Sequence, residues 1–278
     1  MDSTELRQSK AATAARIYDV FLGGTHHFAA DREAAEATLR NAPLIRPAAR
    51  ENRAFLGRAV RFAAESGIRQ FLDIGSGIPV QGNVHEIAQD VDPEARVVYV
   101  DIDPVAVAEG MEILEGNPYA TAIRGDAARI DDVLRHPAVL ELLDFTEPVA
   151  VILCALLHFV PDDADAAAAI GALRDVSVPG SYLILSHGTN RDDDDPEVRK
   201  DLATGEKLVG DVYSRRTATP VRMRSRAAVE RFFDGYDLVE PGVTWVGQWR
   251  PSGGGQPEFA GHANLSGILG GAGVRRPA

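Results

Sequence analysis

The chain has 278 residues, 45% hydrophobic and 25% charged, and its 29 basic and 41 acidic side chains leave a formal net charge of −12. That length suits one large α/β domain or two small ones, and the apolar share excludes global disorder. The negative balance disfavours nonspecific binding to nucleic acid or anionic membrane, so no nucleic-acid partner is expected, and the lone Cys154 excludes an intrachain disulfide or a thiolate metal cluster.

The chain starts with a polar lead that lacks the apolar core of a signal peptide. Next come Ile17-Tyr18-Asp19-Val20-Phe21-Leu22 and the loop Gly23-Gly24-Thr25-His26-His27-Phe28. Asp31 is suited to cap a helix running to about Arg40. Pro47 opens a better one, with Phe55, Leu56, Ala59, Val60 and Ala63 on one face and Gly67 to end it. From residue 69, strands and helices alternate. Strand 70–74 precedes a helix near 82–91, strand 97–101 a helix from Pro104 to about Glu115, and strand 120–124 short helices to about 143. Strand 148–154 precedes a helix from Asp162 to about Val176, and strand 181–187 follows the Pro179-Gly180 turn.

Apolar strands separated by helices predict a parallel sheet covered on both faces. Residues 188–222 are charged, with helix expected after Pro196. A helix near 225–234 leads to strands 236–240 and 243–249, whose short Pro241-Gly242 link predicts an antiparallel hairpin. The remainder, 251–278, reads as a glycine-rich tail, either mobile or closing over the site. The longest uninterrupted apolar stretch, Val149 to Leu157, is too short to cross a bilayer, and a soluble cytoplasmic protein is expected. With lysine confined to Lys10, Lys200 and Lys207, arginine and alanine dominate, a composition that hints at a GC-rich genome.

The most informative segment is Phe71-Leu72-Asp73-Ile74-Gly75-Ser76-Gly77, a strand running into a tight glycine turn with an acid two places before the first glycine. Glycine tolerates φ > 0 and lets a ligand approach bare backbone. Acids also stand where the next two strands end, Asp101 and Asp126. In an open α/β sheet, ligands bind outside the carboxyl ends of the strands. Ser76, Gly77 and Ile78 would offer N–H groups there, Asp101 would accept from two ribose hydroxyls, and Asp126 with the Ala127 N–H would read adenine.

This pattern asks for adenosine and leaves a dinucleotide or S-adenosylmethionine. Three details favour the latter. Asp73 would repel a pyrophosphate but can accept from an α-ammonium, Val80 replaces the third glycine of G-x-G-x-x-G, and no basic residue lies in Ile78 to Val84.

The sequence resembles class I S-adenosylmethionine-dependent methyltransferases, and within them a bacterial family of S-adenosyl methyltransferases with largely undefined acceptors. The resemblance covers roughly residues 14–277. Its marks are Ala15-Arg16-Ile17-Tyr18-Asp19, Leu22-Gly23-Gly24, Phe28-Ala29-Ala30-Asp31-Arg32, Asn52-Arg53, Phe71 to Pro79, Gln81-Gly82-Asn83-Val84-His85, Val98 to Pro104, Phe232-Phe233-Asp234-Gly235 and Leu238 to Gly242. It implies a Rossmann-like fold, a seven-stranded, mostly parallel sheet with an antiparallel C-terminal hairpin and helices on both faces. It also implies a methionine end lined by Asp73, Gly75 and Gly77, a ribose at Asp101 and adenine at Asp126. Ser76, Ile102 and Ala127, which flank these positions, complete the core of the expected cofactor site. One departure is Thr25-His26-His27, where a Lys-Asp-Asn-like triplet is expected after the two glycines.

Other residues carry two readings each. Tyr18 can present its ring to the sulfonium, as cofactor contact and catalytic candidate, or pack with Ile17 and Phe21. Arg53 can pair with the cofactor carboxylate or be a surface arginine. His158, after strand 148–154, is the candidate base, the alternative being a hydrogen-bonded imidazole that only shapes the pocket. His26 and His27 can be read as metal ligands or bases, or as solvated or partner-facing loop residues, and His187, at the end of the fifth strand, is a similar weaker candidate. Asp192 to Asp195 invite a Mg²⁺ reading, but consecutive carboxylates do not converge on one ion, and no metal is expected. Trp245 and Trp249 should pack on one strand face.

The expected organisation is an N-terminal helical cap over 1–66, a core over 67–250 with a lid insertion at about 188–222, and the tail. The expected activity is methyl transfer to an unidentified small molecule. A noncatalytic S-adenosylmethionine-binding protein is the rival, and a nicotinamide oxidoreductase a distant third.

Overall fold

Among the described residues, eight strands form one mixed sheet. They are β1 Gln70–Ile74, β2 Arg96–Asp101, β3 Ala120–Arg124, β4 Ala150–Cys154, β5 Tyr182–Gly188, β6 Tyr236–Leu238, β7 Thr244–Trp245 and β8 Ile268–Arg275. The order is β3-β2-β1-β4-β5-β8-β6, with β7 also paired to β8. Strands β1 to β5 are mutually parallel, whereas β8 runs antiparallel to β5, β6 and β7. This computed structural model describes residues 11–79, 82–189, 207, 210–215, 217, 220–251 and 258–277. Val80, Asp192 to Asp195, the helix expected after Pro196 and Gly253 to Gly255 lie outside the described residues. No helix among the described residues is long and apolar enough to cross a membrane.

Successive strand residues point to opposite faces, and both faces are covered. Leu72, Ile74, Val98, Val100, Val151 and Leu153 enter a core with α6 (Ile130–Leu134), α7 (Pro137–Leu142), α8 (Asp163–Val176) and α9 (Arg226–Glu230). Phe71, Val97, Tyr99, Ala150, Ile152 and Ile184 enter the opposite core with α3 (Ile45–Glu65) and α4 (Val84–Val91). Phe55, Leu56, Ala59, Val60 and Ala63 recur at helical spacing and are all buried in that second core.

The sheet's edges also turn on local chemistry. Asp103 caps α5 (Pro104–Ile113) by accepting from the Val105 N–H, and Pro104 occupies the first turn, where its missing N–H costs nothing. Asp162 caps α8 in the same manner, accepting from the Ala164 and Asp165 N–H groups.

The chain's first helices, α1 (Ala14–Leu22) and α2 (Ala29–Asn41), make a third apolar cluster through Ile17, Phe21, Ala34 and Ala35. A buried arginine ties it to the sheet. Arg16, 1% exposed, reaches Asp31 at 2.9 Å and Asp103 at 2.8 Å. The Thr13 hydroxyl donates to the same Asp103 oxygen at 2.6 Å.

The structure departs from expectation in four places. Strands 236–238 and 244–245 do not pair with each other; each pairs with β8, which supplies the antiparallel end of the sheet. They lie one after the other along β8, β6 against residues 273–275 and β7 against 269–270, and a 3-10 helix over 246–248 ends the run expected over 243–249. Second, the supposed glycine-rich tail contains β8 itself, wedged between β5 and β6. A Cβ on Gly270 would lie 2.9 Å from Phe55 and Val246, and one on Gly273 2.9 Å from Tyr236. Third, Trp245 and Trp249 serve opposite cores, because the 3-10 turn between them breaks the period-two alternation. Fourth, α2 starts before Asp31, at Ala29, so Asp31 is not the N-cap but caps the helix from its first turn, accepting from the Phe28 N–H at 2.8 Å while paired to Arg16.

Candidate active site

Beyond the carboxyl ends of β1 to β5 lies a cavity of about 740 Å³, within the size range of small-molecule sites. Strand β1 has β2 on one side and β4 on the other, so the chain crosses over the cavity's centre. Such a switch point opens a crevice. The cofactor residues read from the sequence, Asp73, Gly75, Ser76, Gly77, Asp101, Ile102, Asp126, Ala127, Tyr18 and Arg53, all line this cavity, as does His158.

The glycine turn after β1 is held by its neighbour strand, since the Gly75 and Ser76 N–H groups both donate to the Val100 carbonyl, at 2.7 and 3.1 Å. Gly75 has φ of +71°, and a Cβ there would lie 2.5 Å from Leu156. Both the backbone conformation and the space beneath it therefore require glycine. Asp101 braces the same turn. Its two oxygens accept from the N–H groups of Gly77 and Asp103, each at 2.8 Å, which aims the carboxylate across the crevice. Burial pushes its carboxyl up to about 6 despite those bonds. Ile102 beside it is 59% exposed along the cavity wall, an apolar surface for a flat ring. Asp126 accepts from the Ala128 N–H at 2.9 Å through one oxygen and lines the cavity.

Asp73 is the least satisfied group in the site. It is 3% exposed and its carboxylate has no hydrogen-bond partner among the described residues. Desolvation raises it to about 7, opposed by Arg53 and reinforced by Asp101. Nearby Asn52, also 3% exposed, lines the same cavity with its Oδ1 unpartnered while its Nδ2 donates to the Tyr18 hydroxyl at 3.1 Å. Two buried acceptors therefore line one cavity with no hydrogen bond to either among the described residues.

Tyr18 both packs against the N-terminal cluster and lines the cavity. Its hydroxyl donates to the Ala49 carbonyl at 3.0 Å, and burial raises its pKa above the ordinary 10.0, so it keeps its proton. Arg53 is half-buried at the cavity wall, with Nη2 donating to Asn83 Oδ1 at 3.0 Å. Burial pushes the Cys154 thiol up to about 12. His158 accepts the Gly188 N–H at Nδ1 over 3.4 Å, and burial with His187 and Arg224 beyond lowers it to about 3.

His187 is fully buried behind the cavity wall, its ring fixed by the Gly188 carbonyl at 2.5 Å and Arg224 at 3.0 Å. His26 and His27 bind Glu109 and Asp19, each at 2.8 Å, and so fasten the loop after α1. No group of three or more metal-ligating side chains converges among the described residues. Asn52, Phe159, Tyr213 and Met223 line the cavity and were not singled out as site residues from the sequence.

A family of S-adenosyl methyltransferases matches the chain over residues 2–275. The chain is similar to a "putative methyltransferase" from Thermobifida fusca YX, with 35% identity, 98% and 97% of the two chains covered and a TM-score of 0.86. It is also similar to a DUF574 family protein from Streptomyces avermitilis MA-4680, with 36% identity, 98% and 100% of the chains covered and a TM-score of 0.87. Comparison with curated proteins gives no match. With this fold, this crevice and these relatives, the chain belongs to the S-adenosyl methyltransferase family, enzymes that draw the transferred methyl group from S-adenosylmethionine.

Proposed function

We propose that the β3-β2-β1 half of the cavity holds S-adenosylmethionine and that the β4-β5 half holds a small-molecule methyl acceptor. The carrying observation is that Asp73, buried and with its carboxyl pushed up to about 7, lines the cavity beside the glycine turn together with Asn52 Oδ1, which is buried without a partner among the described residues. A buried carboxylate without a partner is costly, and a cationic ammonium with its N–H donors is the complement both groups lack. On this reading Arg53 takes the amino acid carboxylate, Asp101 the ribose hydroxyls, and Asp126, Ala127 and Ile102 the adenine. When bound, the cofactor supplies a methyl carbon already activated by sulfonium charge.

The protein's task is then alignment and exclusion of water. Tyr18, whose hydroxyl is committed to Ala49, contributes a ring face and not a base. Adjacent strands are about 4.8 Å apart, so five of them span roughly 19 Å, enough for an extended nucleoside amino acid and a second small molecule side by side. Thr13, Tyr18, Phe21 and Tyr213, from the described parts of segments 1–66 and 188–222, line the cavity and act as its cover; the rest of the expected lid lies outside the described residues.

Asp101→Ala tests the cofactor orientation by calorimetry with S-adenosylhomocysteine. It should weaken binding by about 1–3 kcal/mol through loss of charge-assisted hydrogen bonds. An unchanged dissociation constant would remove the ribose assignment.

A further inference from the structure

The β4-β5 half of the cavity has its own chemistry. Phe159 lies 5.6 Å from Tyr213 with ring planes 39° apart, and 4.4 Å from the His158 ring. Met223 reaches in over Gly188, where a Cβ would lie 2.6 Å from its sulfur. Ring faces and a thioether make an apolar slot suited to a flat ligand. Among the described residues its polar groups are the His158 imidazole, the Tyr213 hydroxyl, Ser266, whose hydroxyl donates to the Ala263 carbonyl at 2.8 Å, and Thr189 and Thr217, the latter's hydroxyl donating to the Tyr213 carbonyl at 2.6 Å.

The tautomer of His158 follows from its neighbours. Nδ1 faces the Gly188 N–H and must present its lone pair to it. A neutral imidazole with Nδ1 accepting carries its proton on Nε2. Nε2 has no partner among the described residues, and the ring lines the cavity. A second proton is opposed from behind. His187 stands edge-on at 5.6 Å, and its Nε2 faces Arg224, which is buried against the carbonyls of Leu157 and Val160 and paired with Asp163. His158 is therefore built to donate a hydrogen bond, not to take a proton.

We infer that the acceptor molecule is a flat, largely apolar ring compound carrying an oxygen lone pair that receives the Nε2–H of His158. The inference rests on the methyl-transfer reading of the same cavity. An oxygen in this position fixes the ring's rotation in the slot, so His158 sets which substituent faces the methyl donor. A proton on the reacting atom, where there is one, leaves to a group other than this imidazole.

The test uses the whole chain with S-adenosylhomocysteine bound, its histidines labelled with ¹⁵N, and His158 assigned by its absence in His158→Gln. The probes are acetophenone and ethylbenzene, matched in ring and chain and differing in the carbonyl. Long-range ¹H–¹⁵N spectra should show His158 protonated on Nε2 and untitrated between about pH 5 and 8. Acetophenone should shift that nitrogen and bind about fivefold more tightly than ethylbenzene. His158→Phe should abolish the preference, and His158→Gln, which restores a donor near Nε2, should recover part of it; calorimetry with S-adenosylhomocysteine shows whether each variant is folded. A proton on Nδ1, titration near 6.5, equal affinity for the two probes or no binding of either overturns the inference alone. No heat from S-adenosylhomocysteine with the unmodified chain overturns the proposed site and the inference with it.

Discussion

Asp73 couples the site to pH in two opposite directions. Its carboxyl stands near 7 in the ligand-free protein against an ordinary 3.8, with Arg53 and Asp101 as the charged groups facing it. The folded chain holds this proton between those values and the unfolded chain does not. Its contribution to stability is thus complete below the unfolded value and is lost as pH rises through about 7. Cofactor affinity follows the reverse course, because an ammonium group needs the ionised carboxylate. Calorimetry with S-adenosylhomocysteine should show affinity rising up to about tenfold per pH unit below pH 7 and levelling above it. Asp73→Asn should bind weakly with a flatter profile and should melt no earlier than the parent at pH 8. A parent profile that is flat between pH 5.5 and 8 would show that this carboxylate does not receive the ammonium.

The acids at the strand ends were legible because their positions follow from strand boundaries, and Asp73, Asp101 and Asp126 all line one cavity as that reading requires. Asn52 was signalled only as a mark of resemblance, since it sits inside the apolar stripe of α3 and its place in the site shows in the buried, unpartnered Oδ1. The state of His158 was equally hidden, because it depends on a backbone N–H thirty residues away.

At the scale of elements, the parallel strands were plain in the sequence because each is a short apolar run ending at a turn or an acid. Strand β8 was not, because glycine is depleted in strands and Leu269-Gly270-Gly271-Ala272-Gly273 has no side-chain alternation to read. Its glycines answer to tertiary contacts. Gly270→Val should therefore destabilise by about 1–3 kcal/mol through overpacking against Phe55 and Val246, measured by urea unfolding. A stability unchanged within error would mean that β8 is not pressed between those side chains.

The anchoring of α1 and α2 makes a second expectation. Arg16 pairs with both Asp31 and Asp103, with all three side chains nearly inaccessible. Removing one member of a buried charge cluster costs about 3–5 kcal/mol because the others are left unpaired. Arg16→Ala should lose about that much, and limited proteolysis should cut first in α1 and α2. Cutting elsewhere at the parent rate would contradict the anchor. Sequence pattern signalled Arg16 and Asp31 only as marks of resemblance; their pairing needed the fold.

Over the whole molecule, the arrangement is a sheet whose order reverses at β1, with acids on the β3-β2-β1 side and rings on the β4-β5 side. A right-handed alternation of strands and helices fixes that polarity, which explains why the class of fold and the place of the crevice were readable from one sequence. The acceptor end was not readable, since Phe159, Met223 and Tyr213 meet there from segments far apart in the chain. The central claim is that one ligand lies across three strand ends with its sulfur toward the rings. A crystal structure with S-adenosylhomocysteine should show the ribose hydroxyls on Asp101, the adenine beside Ile102 and Asp126, and the ammonium on Asp73 and Asn52. Density for the nucleoside in the β4-β5 half, or an ammonium turned away from Asp73, would contradict the account.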